Sequence, residues 1–77
     1  MKEKLKEILL RVTGRDIQPE EGLFFRDDLG VDSLTMVEVV YECEETLGIV
    51  FGQEELTEDN LGTTTAFLKL LEGKCES

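Results

Sequence analysis

Residues 32–48 read DSLTMVEVVYECEETLG, and this stretch decides the fold. Met36, Val39, Val40, Cys43 and Leu47 recur at i, i+3, i+4, i+7 and i+11, an apolar stripe along one side of a helix. Leu34, Val37 and Tyr41 recur at i, i+3 and i+7 and make a second stripe beside the first. Asp32 and Ser33 are residue types that open helices, and Gly48 is one that closes them. The spacing predicts a helix from Asp32 and Ser33 to Thr46 or Leu47. A helix packed on one side requires a single apolar stripe. The second is either further core, the commoner case in a small bundle, or an exposed patch ringed by Glu38, Glu42, Glu44 and Glu45 and suited to docking.

Upstream, Leu5, Ile8, Leu9 and Val12 follow i, i+3, i+4 and i+7, which predicts a helix over Lys2 to Val12 with Gly14 at a left-handed C-cap. The connector from Arg15 to Asp32 has no helical period and is broken by Pro19, Gly22 and Gly30. It still holds Ile17, Leu23, Phe24, Phe25, Leu29 and Val31, so it is expected to lie on the core. Eighteen residues is long for a connector in a chain of this size, and long ordered connectors tend to be functional.

Downstream, Ile49-Val50-Phe51 is a short apolar run ended by Gly52. Glu54 to Asn60 suffices for one or two helical turns. Thr63 or Thr64 is positioned to cap a last helix that ends near Glu72, with Gly73 as its C-cap. Phe67, Leu68 and Leu71 point inward on that helix, with Leu61 just upstream. The expected fold is all-α: a small four-helix bundle of three main helices and one short helix, with a long loop between helices I and II. It occupies residues 1–77 as one domain.

The chain has 77 residues, 8 basic against 18 acidic, for a net charge of −10. It contains no His, which excludes Ser-His and Cys-His nucleophilic chemistry and His-ligated zinc. Its acidity opposes nucleic acid and anionic membrane surfaces, so neither is expected as a partner. At 40% hydrophobic residues it is not a disordered acidic tail. Cys43 and Cys75 form neither a disulfide framework nor a metal spacing and read as one buried small hydrophobe and one tail thiol. The N-terminus MKEKLKEILL is not a signal peptide, and no apolar run approaches the roughly 20 residues of a membrane helix. A cytoplasmic monomer is expected.

The charge is unevenly placed. From Asp27 to Leu68 there are eleven acids and no Lys or Arg. Unrelieved like charge costs stability, so the stretch reads better as a surface that steers basic partners than as a merely solvated face. Asp27 and Glu38 fall at positions 1 and 12 of a calcium loop, but Leu29, Val31 and Asp32 at positions 3, 5 and 6 reject it.

Ser33 is the remaining point of chemical interest. By local pattern it is most simply a helix cap, with Asp32 able to share that job. No base is present to make it a nucleophile. The other role open to it is as an acceptor modified by another enzyme, its phosphoester lying at the positive end of the helix dipole.

Asp27-Asp28-Leu29-Gly30-Val31-Asp32-Ser33-Leu34 resembles the signature of acyl carrier proteins and related phosphopantetheine-binding carriers, in which Asp-Ser-Leu opens helix II after Leu-Gly-x. The resemblance runs from about Glu3 to Glu72, keeps the family's helix order and fits its discrete single-domain type. It implies a 4′-phosphopantetheine arm bound covalently to Ser33. It also implies that Asp32, Leu34, Val37, Glu38, Tyr41, Glu44 and Glu45 meet partners, and that the chain has neither a catalytic residue nor a metal site of its own. The implied partners are a phosphopantetheinyl transferase, acyl cargo, and acyl-transfer, ketosynthase or ligase-type enzymes with basic docking patches. Tyr41 stands where fatty-acid members usually have a smaller or flexible apolar residue. Ile49-Val50-Phe51-Gly52-Gln53 replaces their Ile-Pro-Asp turn, and Leu56-Thr57-Glu58-Asp59-Asn60-Leu61 looks like polyketide or peptide-synthetase carriers. The competing readings are an aminoacyl or peptidyl carrier, and an acidic helical adaptor in which Ser33 is only a cap.

Overall fold

The computed structural model describes residues 1–75. Four α-helices follow in order: α1 (Lys2–Thr13), α2 (Ser33–Leu47), α3 (Glu58–Leu61) and α4 (Thr64–Cys75). Short 3-10 turns lie at Pro19–Glu21 and Gln53–Glu55. Among the described residues there is no strand, only an isolated antiparallel bridge between Phe24 and Thr63.

The apolar stripes become the core as their spacing predicts. Leu5, Ile8 and Leu9 of α1, Val39 and Cys43 of α2, and Phe67, Leu68 and Leu71 of α4 are buried together. Met36, Val40 and Leu47 pack at the edge of that cluster. Phe67 is its centre: Phe25 meets it edge-on at 5.9 Å, and Phe51 stacks on it at 6.0 Å. Phe25 comes from the first connector and Phe51 from the second, so both irregular segments are anchored by their aromatic residues.

The long connector is fastened as well as buried. Ile17, Pro19, Phe25, Leu29 and Val31 are all buried. The Thr64 hydroxyl donates to the Pro19 carbonyl at 2.8 Å and accepts from the Leu23 N–H at 3.0 Å. The Thr64 N–H donates to the Leu23 carbonyl at 2.9 Å, and the Phe25 N–H to the Gly62 carbonyl at 3.0 Å. Gly22 lies close against α4: a Cβ there would meet Thr65 Oγ1 at 2.9 Å, at a φ of +66° that already disfavours a side chain.

Three local expectations change. Phe24 does not join the core and is 53% exposed. The chain is extended where it bridges to Thr63, so successive side chains alternate, and Phe25 takes the inward place. Gly73 is not a C-cap but lies inside α4, which runs on to Cys75. That last turn is held from the side: Lys74 Nζ reaches Glu55 Oε1 at 2.8 Å and sits 5.4 Å from the Phe51 ring centre. The third change, at the start of α2, bears on the site.

Candidate functional site

The connector ends in a tight turn. Phe24 O accepts from the Asp28 and Leu29 N–H groups, Arg26 O from Gly30 and Phe25 O from Val31, at 2.8–3.2 Å. Asp28 Oδ2 closes the turn by accepting from the Phe24 N–H at 2.8 Å. Gly30 has a φ of +64°, which explains a glycine two residues before Asp32. The turn delivers Asp32 in an extended conformation, and α2 starts at the next residue.

Asp32, not Ser33, is the N-cap. Its Oδ1 accepts from the Thr35 N–H at 2.8 Å, and that bond holds its carboxyl below the usual aspartate range. A carboxylate is the stronger acceptor for a backbone N–H, and one residue earlier is the position from which it reaches. Ser33 therefore stands at the first helical position, exposed, and among the described residues no hydrogen bond engages its hydroxyl. The cap that local pattern assigned to Ser33 is supplied by its neighbour.

Ser33 lies on the rim of a cleft of about 570 Å³ between the connector, α2 and the α3 segment. Phe24, Phe25, Val31, Met36, Leu56 and Leu61 give it apolar walls. Arg26, Asp27, Asp32, Thr57, Glu58 and Asp59 supply its polar lining. The sequence reading missed the far wall. Leu56 and Leu61 bracket α3, whose cap is Thr57 Oγ1 accepting from the Asn60 N–H at 3.3 Å. The Leu-Thr-x-x-x-Leu spacing was the available signal, but nothing local says that it faces Ser33.

The second stripe of α2 is exposed: Leu34 78%, Val37 64% and Tyr41 57%. Glu38 and Glu45 stand exposed on the same side. Glu44 is turned towards the following loop, where its Oε2 accepts from the Phe51 N–H at 2.9 Å. Glu42 pairs with Arg11 of α1 at 2.8 Å. Cys43 is buried, and burial pushes its thiol pKa up to about 12, which makes it inert as a nucleophile. Cys75 is a free, exposed thiol. Among the described residues no cluster of three or more His, Cys, Asp or Glu is placed to hold a metal ion. No described helix is long and apolar enough to cross a membrane.

Comparison with known proteins gives a consistent result. Residues 3–68 match the family model described as "Phosphopantetheine attachment site". An acyl carrier protein from Acidothermus cellulolyticus is 47% identical over 55 residues, 68% of this chain. The match spans 63% of that relative's own length. The meromycolate extension acyl carrier protein of Mycolicibacterium aurum is 36% identical over 72 residues, 88% of this chain and 72% of that one. A chain in the solved structure of the ishigamide ketosynthase/chain length factor superposes with a TM-score of 0.72 over 97% of this chain and 93% of that one. At 23% identity that likeness concerns the fold.

Proposed function

Because this chain belongs to the family of phosphopantetheine-binding acyl carrier proteins, we propose that it carries acyl intermediates as thioesters on a 4′-phosphopantetheine arm attached to Ser33. It is a carrier and not an enzyme. Its residues 1–77 act as one carrier domain, a monomer of the cytoplasm, that presents cargo to fatty-acid or polyketide-type biosynthetic enzymes.

The observation that carries this reading is the state of the Ser33 hydroxyl: exposed at the first position of α2, with its capping work done by Asp32. The chain's residues fit the group. The hydroxyl is open to a second protein, and a phosphodiester formed on it would lie where a helix N-terminus favours negative charge. In the transfer, Ser33 Oγ forms a bond to the pantetheine-side phosphorus of coenzyme A. The bond to the other phosphate breaks, adenosine 3′,5′-bisphosphate leaves, and the serine proton passes to a base of the transferase. The arm's own chemistry is a terminal thiol that takes acyl groups as thioesters. The apolar walls beside Ser33 suit a lipid-like chain.

The test is intact mass after incubation with a phosphopantetheinyl transferase and coenzyme A. The wild type gains one arm, and Ser33→Ala gains none. A folded Ser33→Ala that still gains the mass misplaces the site, and a wild type that never gains it overturns the reading.

Docking is proposed on the exposed face of α2, through Leu34, Val37, Glu38, Tyr41 and Glu45, with Asp32 and Glu44 at its margins. Partners offer Arg and Lys around a small apolar patch, and the contact is brief because a carrier must leave each enzyme. Glu38→Lys or Glu45→Lys slows modification by the transferase several-fold at low salt, and high salt narrows the gap. An unchanged rate moves the docking face elsewhere.

A further inference from the structure

We infer that Arg26 is the anion-binding side chain of the Ser33 site and pairs with the phosphodiester that joins the arm to Ser33; this rests on the reading of Ser33 as the attachment point. Among the described residues, Arg26 is the only Lys or Arg lining the cleft that Ser33 borders. Its backbone is fixed in the same turn that delivers Asp32 and Ser33, with its carbonyl accepting from the Gly30 N–H at 3.2 Å. From Asp27 to Leu68 no other cation follows it in the chain.

Among the described residues, it combines a place in that cleft with freedom from ion pairs, a freedom that Lys4 and Lys69 share without the place. Lys2, Lys6, Arg11 and Lys74 are each engaged by a carboxylate, on Glu20, Asp16, Glu42 and Glu55 respectively. Arg15 donates to the Leu29 carbonyl. Lys4 and Lys69 lie away from the cleft. Arg26 is exposed and, among the described residues, has no carboxylate within ion-pair distance, although Asp27, Asp32, Glu58 and Asp59 line the same cleft.

A modification at Ser33 adds one negative charge to a site already lined by those four carboxylates. That addition is unfavourable unless something opposes it, and within a Debye length of about 10 Å the acids are not screened from the new charge. The start of α2 supplies partial positive charge. Arg26 supplies a whole one, in a planar fork that matches two phosphate oxygens. An arginine kept free of salt bridges, in a chain of net charge −10, has the placement for an anion that arrives only on modification.

The experiment compares each protein with its own unmodified form, which cancels any purely structural role of Arg26. Apo and holo forms of wild type, Arg26→Gln and Arg26→Lys are prepared, with loading checked by intact mass. In 15N-labelled wild type, loading shifts the Arg26 Nε–H resonance and slows its exchange with water. The holo-minus-apo melting temperature of Arg26→Gln falls about 2–4 °C below that of wild type at low salt. Arg26→Lys recovers most of that difference, and high salt removes it. Equal holo-minus-apo shifts in all three proteins, or an Nε–H resonance unmoved by loading, overturn the inference while leaving Ser33 as the attachment point. A resonance that moves only when the arm bears a dicarboxylic acyl group also overturns it, since the anion is then the cargo's. A wild type that takes up no arm overturns the reading of Ser33 and this inference together.

Discussion

Ser33 and Thr64 are hydroxyl residues at the first positions of α2 and α4, and their surroundings are opposite. The Thr64 side chain is fully buried, donating to Pro19 and accepting from Leu23. Ser33 is exposed at a helix start capped by another residue. One hydroxyl is consumed by the fold and fastens the long connector to α4. The other owes the fold nothing and remains available for chemistry. The comparison shows that neither residue type nor helix position decides the role. What decides it is which segment crosses over the helix start: the connector passes over α4 and leaves the start of α2 open.

The largest effect belongs to Thr64. Thr64→Ala strands the half-buried Leu23 N–H and leaves the Pro19 carbonyl only its longer bonds from the Gly22 N–H at 3.4 Å and the Thr65 hydroxyl at 3.5 Å, at a cost of about 2–3 kcal/mol. Thr64→Ser keeps both bonds and loses a methyl group, about 1 kcal/mol. Chemical denaturation measures both. If the alanine variant loses no more than the serine variant, the hydroxyl does not fasten the connector and the contrast with Ser33 collapses.

Asp32 provides the next step down. Asp32→Ala removes the cap and lowers the melting temperature by about 3–8 °C at neutral pH. The pH dependence identifies the cause. The folded form of Asp32 holds its carboxyl below the ordinary aspartate value, so its stabilisation is fully present above that value and disappears as pH falls through the depressed one. The wild-type advantage over Asp32→Ala therefore vanishes in acid, whereas the Thr64→Ala loss, which involves no titrating group, persists. An advantage that survives below the carboxylate range means that the bond to Thr35 is not what Asp32 contributes.

These two sites also mark the limit of what the sequence discloses. Periodicity found α1, α2 and the inward residues of α4, because burial of one face is written into spacing. It also separated the two stripes of α2, but not their fates: Val37 and Val39 are the same residue type, and only Val39 falls within the buried cluster that residues of α1 and α4 share. The Asp-Ser pair located the start of α2 to the residue, yet either side chain can cap in isolation, and the extended backbone of Asp32 decides between them. Thr64 gave no local sign of burial, since its partners are 41 and 45 residues away in the chain. Phe24 and Gly73 were misread for the same reason. The bridge to Thr63 turns Phe24 outward, and the Glu55–Lys74 pair, 19 residues apart, steadies the helix beyond Gly73.

Charge separates the two helix starts more gently. The cleft at Ser33 is lined by Asp27, Asp32, Glu58 and Asp59, and the stretch from Asp27 to Leu68 holds eleven acids and no Lys or Arg. Raising salt or adding millimolar divalent cations lifts the wild-type melting temperature by roughly 2–5 °C. The gain is smaller in Glu58→Gln/Asp59→Asn, which relieves the repulsion beforehand. A melting temperature flat across salt means that the acids stand too far apart to repel one another.

The smallest effect is the most informative about Ser33. If Ser33 were the helix cap, Ser33→Ala would cost about 1 kcal/mol. With Asp32 as the cap, the substitution exchanges an exposed serine for a better helix former at the first helical position, so stability stays within about 0.5 kcal/mol of wild type and the sign can favour the variant. The measurement is a urea titration of both apo proteins, read at equal slope so that the midpoints report stability alone. Combined with Asp32→Ala it forms a double-mutant cycle. Coupling near zero means that the two side chains work independently, one for the helix and one for the arm. A loss of a full kcal/mol in Ser33→Ala, or strong coupling to Asp32, would return Ser33 to the class of Thr64, a hydroxyl that the fold requires.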